Sequence, residues 1–165
     1  MTRPLHRATW VIGLLALVGC YEPPGENQLI KRFESHRAEF DTLLAMATND
    51  SHFRRISGGE IPPRGMPVER YGDYLAIFQK LGIEDGLTWN YTPHTDGLFI
   101  IAGSAIPIGG TDRSIGYVYS AVPLAPIVRN LGFPESPFEV HSGHGERTVY
   151  RQLQDHWYLF YHASW

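Results

Sequence analysis

The chain has 165 residues, 43% of them hydrophobic and 19% charged, which is the length of one domain and the balance of a folded chain rather than a disordered one. The formal net charge is −3, and residues 1–19 hold Arg3 and Arg7 but no acid, so the remainder carries 12 basic against 17 acidic side chains, a net of −5. That balance excludes electrostatically driven nucleic-acid binding and a polybasic membrane surface.

The first twenty residues have three parts. Arg3, His6 and Arg7 form a basic start, Trp10 to Val18 is almost wholly apolar, and Leu17-Val18-Gly19-Cys20 follows. A charged start, a short apolar stretch and a small residue before a cut are the parts of a secretory signal. The apolar stretch is too short to span a bilayer, which takes about 20 apolar residues. Leu-Val-Gly-Cys resembles the lipobox of bacterial lipoproteins, in which the Cys thiol carries a diacylglyceryl thioether and the signal is cut just before it. The resemblance implies removal of residues 1–19 by cleavage between Gly19 and Cys20, acylation of Cys20 with palmitate-type chains, and a partner in the lipid bilayer. It also implies that Tyr21, standing where an inner-membrane retention signal has Asp, sends a Gram-negative lipoprotein to the periplasmic face of the outer membrane. One acyl chain binds membranes only marginally, at about 10⁴ M⁻¹, whereas two or more hold firmly. Cys20 is the single cysteine, so a lipidated chain has no disulfide and must be stabilised by burial.

Residues 20–26 read as the lipidated Cys and a short linker, Y-E-P-P-G-E after Cys20. Extended, the linker reaches about 20 Å at about 3.3 Å per residue. Residues 27–165 read as one globular domain. Asn27 to Thr48 reads as a helix, with Leu29, Ile30, Phe33, Phe40, Leu43, Leu44 and Ala47 at helical spacing and no internal Gly or Pro. Ser57 to Pro67 is a loop by its Gly and Pro density. Pro67 to Leu81 is a second helix, begun by Pro67 and stopped by Gly82.

After Gly82 the period changes to two. Strands are expected over 87–92, 98–106 and 114–122, with turns at Asp96-Gly97 and Gly109-Gly110-Thr111-Asp112. Pro123 to Gly132 reads as a short helical turn on the spacing of Leu124, Ile127, Val128 and Leu131, and 133–146 as an irregular loop. The chain ends in a hairpin, 148–154 and 157–162, turned at Asp155-His156. Trp157, Leu159 and Tyr161 alternate with Tyr158 and Phe160, so both faces of the last strand are apolar and it belongs inside the sheet. The fold class is α+β: two N-terminal helices packed on a mostly antiparallel sheet of about five strands. The segments L-I-K-R-F-E, I-G-Y-V-Y-S and H-W-Y-L-F-Y resemble those of small, uncharacterised bacterial lipoproteins, and that resemblance implies no catalytic residues.

No motif for a catalytic nucleophile or a cofactor emerges. Ser104 lies in Ala-Gly-Ser-Ala-Ile, which is not G-x-S-x-G, and reads as a strand residue. Gly103 to Thr111 lacks the Lys and spacing of a phosphate-binding loop. His141 and His144, with Glu146, form an H-x-x-H loop that can bend two imidazoles around a metal, with a third nitrogen from His156 or His162. A zinc site needs three ligands in fixed geometry, and a solvated polar loop accounts equally for these residues. Glu84, Asp85, Asp96 and Asp112 sit in expected turns, where acids usually cap backbone. Tyr117, Tyr119, Tyr150, Trp157, Tyr158, Phe160 and Tyr161 are core or a ligand-binding sheet face. Arg54, Arg55 and Arg64 flank a loop. The expectation is a membrane-anchored envelope lipoprotein, a non-enzymatic interaction or accessory module with an envelope protein partner; the alternatives are a small membrane-tethered metal-dependent hydrolase or a ligand-binding module.

Overall fold

The computed structural model describes residues 24–59, 61–90, 97–105, 112–131 and 145–164. The expected first helix is two: α1 (Glu26–Ser35) and α2 (Arg37–Asn49), separated at His36, whose φ of −126° leaves the helical region. The hydrogen bonds nearly continue through the break, with His36 N–H donating to Arg32 O and Phe40 N–H to His36 O. The break lets Phe33 and Phe40, 5.2 Å apart, both close on Trp157 at 5.5 and 5.6 Å. Arg37 lies over the Phe33 and Trp157 rings, so a cation covers the outside of that aromatic cluster. Glu26, expected in the linker, is instead the first residue of α1 and is buried.

A two-residue strand, β1 (Arg55–Ile56), follows within the part of the chain between the helices. Next comes α3 (Val68–Leu81), entered from Pro67 as expected. It stops at Gly82, which takes the left-handed conformation at φ 56° while Ile83 N–H donates to Phe78 O at 2.8 Å. A Cβ at Gly82 would also lie 2.9 Å from the Arg32 guanidinium, which donates to Gly82 O at 3.0 Å. Tyr71, Tyr74, Phe78 and Leu81 form the buried stripe of α3.

The remaining strands are β2 (Gly86–Trp89), β3 (Leu98–Ala105), β4 (Asp112–Tyr119), β5 (Glu146–Gln154) and β6 (Trp157–Ser164). They form one sheet in the order β1-β2-β3-β4-β6-β5, every neighbouring pair antiparallel. The fold is thus α+β, with three helices and six strands among the described residues, and the third helix lies between β1 and β2 in the chain. The sixth strand is β1, too short to leave an alternating pattern in the sequence. The last hairpin turns at Asp155, at φ 47°, as its residue types allow. Gly116 sits opposite Ile101 where β3 is bulged, and a Cβ there would press into the Ile100 carbonyl.

Period-two alternation sorts the sheet residues. Leu98, Ile100, Ile115, Tyr117, Trp157, Leu159 and Tyr161 join the helices in the main core. Phe99, Ile101, Val118, Tyr150, Tyr158 and Phe160 form a second cluster on the other face. β6 lies between β4 and β5, and its first seven residues are all buried, as its two-sided apolar pattern requires.

The segment expected to form a helical turn, 123–132, is not helical over its described part, which bends and makes one isolated bridge to β5. Leu124 belongs to the second cluster and Leu131 to the main core. Between them Tyr150 N–H donates to Pro126 O at 3.1 Å and Val128 N–H to Tyr150 O at 2.8 Å. This strap therefore wraps the outer edge of β5 and satisfies its backbone. Pro123 and Pro126 explain the departure, since each fixes φ and lacks an N–H, and each disfavours a helical residue before it.

Candidate functional site

The most concentrated polar chemistry of the sheet lies at the end where β4 and β5 begin. Ser104 on β3 is opposite Ser114 on β4, which is opposite His162 on β6, which is opposite Thr148 on β5. Strand alternation puts Ser114, His162 and Thr148 on the face of the second cluster, since Val118, Phe160 and Tyr150 lie an even number of residues away. In the next row out, Asp112 and Glu146 both face Ser164.

His162 Nδ1 and Thr148 Oγ1 are 2.9 Å apart, and the Ser104 hydroxyl donates to Asp85 Oδ2 at 2.6 Å. Burial pushes the His162 imidazole below its ordinary value, and the opposing pull of Glu146 and Asp112 does not restore it. The ring is therefore neutral at pH 7, held by Thr148, beside two acids and one strand from Ser114. Cross-strand neighbours on one face have Cβ atoms about 4.5–5.5 Å apart, so imidazole and hydroxyl are within reach of each other. Ser114 and His162 are only 4% and 8% exposed, however, so a substrate has little access to either. The row can pin strands together or hold a small polar group; the hydroxyl beside His162 on β4, that of Ser114, lacks the access an acyl-transfer nucleophile needs.

Of the residues singled out for a metal, Glu146 is exposed at the start of β5, on the His162 side of the sheet. His141 and His144 lie outside the described residues, as do Gly19 and Cys20. His156 packs against the edge of Tyr119 at the hairpin turn, while His162 lies six residues along β6, about 20 Å away at about 3.3 Å per residue. These two histidines therefore cannot serve one metal. Among the described residues no three His, Cys, Asp or Glu side chains are grouped to hold an ion.

The aromatic set is split by the sheet: Tyr117, Trp157 and Tyr161 face the helices, and Tyr150, Tyr158 and Phe160 face away. It is not one groove. Burial pushes the Tyr117 and Tyr161 phenols up, and Tyr117 donates to Leu29 O at 3.0 Å. Arg54, Arg55 and Arg64 are exposed.

Two polar centres went unmarked in the sequence. At the end of α2, Asp50 Oδ2 accepts from Arg70 Nε at 2.7 Å and from the Tyr74 hydroxyl at 2.9 Å. Burial opposes ionisation of Asp50, but these hydrogen bonds and the Arg70 charge outweigh it and hold the carboxyl below its ordinary range. The other is Glu26, which is 7% exposed. Its carboxylate accepts from Leu131 N–H at 2.9 Å and pairs with the Arg151 guanidinium, tying the start of α1 to the strap and to β5. An acid at the first position of a helix is the available sequence signal, because it suits the helix dipole.

No helix among the described residues is long and apolar enough to cross a membrane. Compared with protein-family models, curated proteins and solved structures, the chain matches none.

Proposed function

We propose that the protein is a lipid-anchored envelope protein, an interaction or accessory module that a short leash holds at a membrane face. The observation that carries this reading is Leu17-Val18-Gly19-Cys20 at the end of a short apolar stretch behind Arg3 and Arg7. The start of α1 at Glu26 supports it, since only five residues stand between Cys20 and the helix. The placement of three carboxylates supports a non-enzymatic role: buried Glu26 and half-buried Asp50 and Asp85 accept hydrogen bonds that join separate elements.

Labelled palmitate supplied to cells making the protein tests the anchor. Label should enter the wild type and be lost in Cys20→Ser, and the wild type alone should sediment with membranes. Equal labelling, or an intact residue 1–19 segment in the mass spectrum of the purified protein, would end the reading. Crosslinking in intact envelopes tests the accessory role: one partner should recur with the wild type and vanish with Cys20→Ser. The buried His162, held by Thr148 one strand from Ser114, favours a second reading, a ligand-binding module. A thermal-shift screen separates the two, because a bound ligand raises the melting temperature by mass action.

A further inference from the structure

We propose that the strap-covered edge of β5 is the surface that faces the bilayer, with Ile127 seated at the lipid headgroup level; this rests on lipid anchoring through Cys20. Among the described residues large apolar side chains are exposed on both sides of the sheet. Ile127, 51% exposed, lies on the strap at the β5 edge, and Val122, 54% exposed, precedes the strap in the chain. Ile61, 81% exposed, follows β1, and Val68, 71% exposed, opens α3, where the Tyr71 hydroxyl pins the chain at Ser57 and Gly59. β1 and β5 are the opposite edges of the six-stranded sheet, five strand spacings or about 24 Å apart at about 4.8 Å each.

Exposure alone would favour the β1 side. The tether decides otherwise. Glu26 is held to Arg151 of β5 and to Leu131 of the strap, so the linker enters the domain at the β5 edge. The six Cα–Cα steps from Cys20 to Glu26 reach about 22 Å at most. With the β1 edge against the bilayer, Glu26 would stand about a sheet width, about 24 Å, above it, beyond that reach. With the β5 edge down, the same linker has slack. Arg129 on the strap is an exposed cation at this edge and suits the phosphates of an anionic leaflet.

The test uses the mature lipidated protein in vesicles of zwitterionic and anionic phospholipid with brominated acyl chains. Cys20 is the single cysteine and its sulfur is taken by the thioether, so a polarity-sensitive fluorophore attaches only at an introduced thiol, Ile127→Cys or Val68→Cys. The fluorophore at position 127 should be quenched at least twofold more than at position 68, and its emission should shift to the blue. Equal quenching, or stronger quenching at 68, overturns the orientation while leaving the anchor in place. A mass spectrum showing Cys20 unacylated before labelling removes the anchor, and the orientation falls with it.

Discussion

Replacing Glu26 tests whether the start of α1 is held as its contacts indicate. In Glu26→Ala the Leu131 amide loses its acceptor in a buried setting, which costs about 1–3 kcal/mol. Arg151 also loses its partner, but its side chain is 32% exposed and water can replace the carboxylate, so that part is worth about 0.5–1 kcal/mol. The expected loss is about 2–3 kcal/mol, or about 5–10 °C in Tm for a chain of this size. Glu26→Gln keeps an oxygen for Leu131 and removes only the charge, so it should cost about 1 kcal/mol. Urea denaturation of both variants, with Arg151→Ala and the two double mutants, gives the coupling directly, expected at about 0.5–1 kcal/mol for Glu26 with Arg151. A loss below about 0.5 kcal/mol in Glu26→Ala, the range of an ordinary surface change, would refute the clamp.

Gly116→Ala should fail to give a stable fold, because its Cβ meets the Ile100 carbonyl at the β3 bulge; soluble yield and far-ultraviolet circular dichroism read this. Phe40→Ala should cost about 3–5 kcal/mol by denaturant midpoint, since the ring is fully buried against Phe33, Tyr117 and Trp157. His162 is depressed by burial, so the folded state prefers the neutral ring: its contribution is complete above the unfolded value of about 6.5 and is lost as pH falls below that toward the folded value. Stability of the wild type should therefore decline on acidification from pH 6.5, and His162→Gln should flatten that slope in a pH series of denaturation curves. Asp50 is likewise depressed and keeps its contribution until pH falls below about 3.8, so Asp50→Asn should destabilise at pH 7 and lose that difference in strong acid.

What could be read from the sequence was whatever local chemistry controls. Pro67 and Gly82 bracket α3, Asp155 takes the turn, and the two-sided apolar run 157–161 forms an interior strand. What could not be read was set by distant packing. Nothing in the residues around His36 signals a break, because no Gly or Pro is needed for one; Trp157 and Tyr117, far along the chain, draw Phe33 and Phe40 together. The leucines of 124–131 have helical spacing, yet they serve opposite faces of the sheet because two prolines forbid the helix and β5 offers an open edge. Glu26 reads as a linker acid in the sequence, and only the fold brings Arg151, 125 positions away, beside it. Of the candidate site residues, Glu146 and His162 share one end of the sheet, while His156, equally plausible by sequence, lies at the other. Which end of a strand a histidine occupies depends on the register, and no count of spacings supplies it.

The same long-range ties explain how such a domain can forgo disulfides. If Cys20 carries lipid, no thiol remains to join the helices to the C-terminal hairpin, a join that small secreted domains often make covalently. Two hydrogen-bonded ties make that join instead, Arg37 to Gln154 across 117 positions and Arg151 to Glu26 across 125, and Tyr117 of β4 adds a third to the sheet, donating to Leu29 O across 88. Each ends on α1 or on the first residue of α2 and begins or ends on the central or outer strands. Glu26 and Leu29, two of the three points of attachment, lie within the first turn after the linker. A pull on the linker would therefore be resisted by β4 and β5 through side chains, before any turn of helix could unwind. Under the proposed lipid anchor, this placement of contacts keeps the domain folded while it is held by one end.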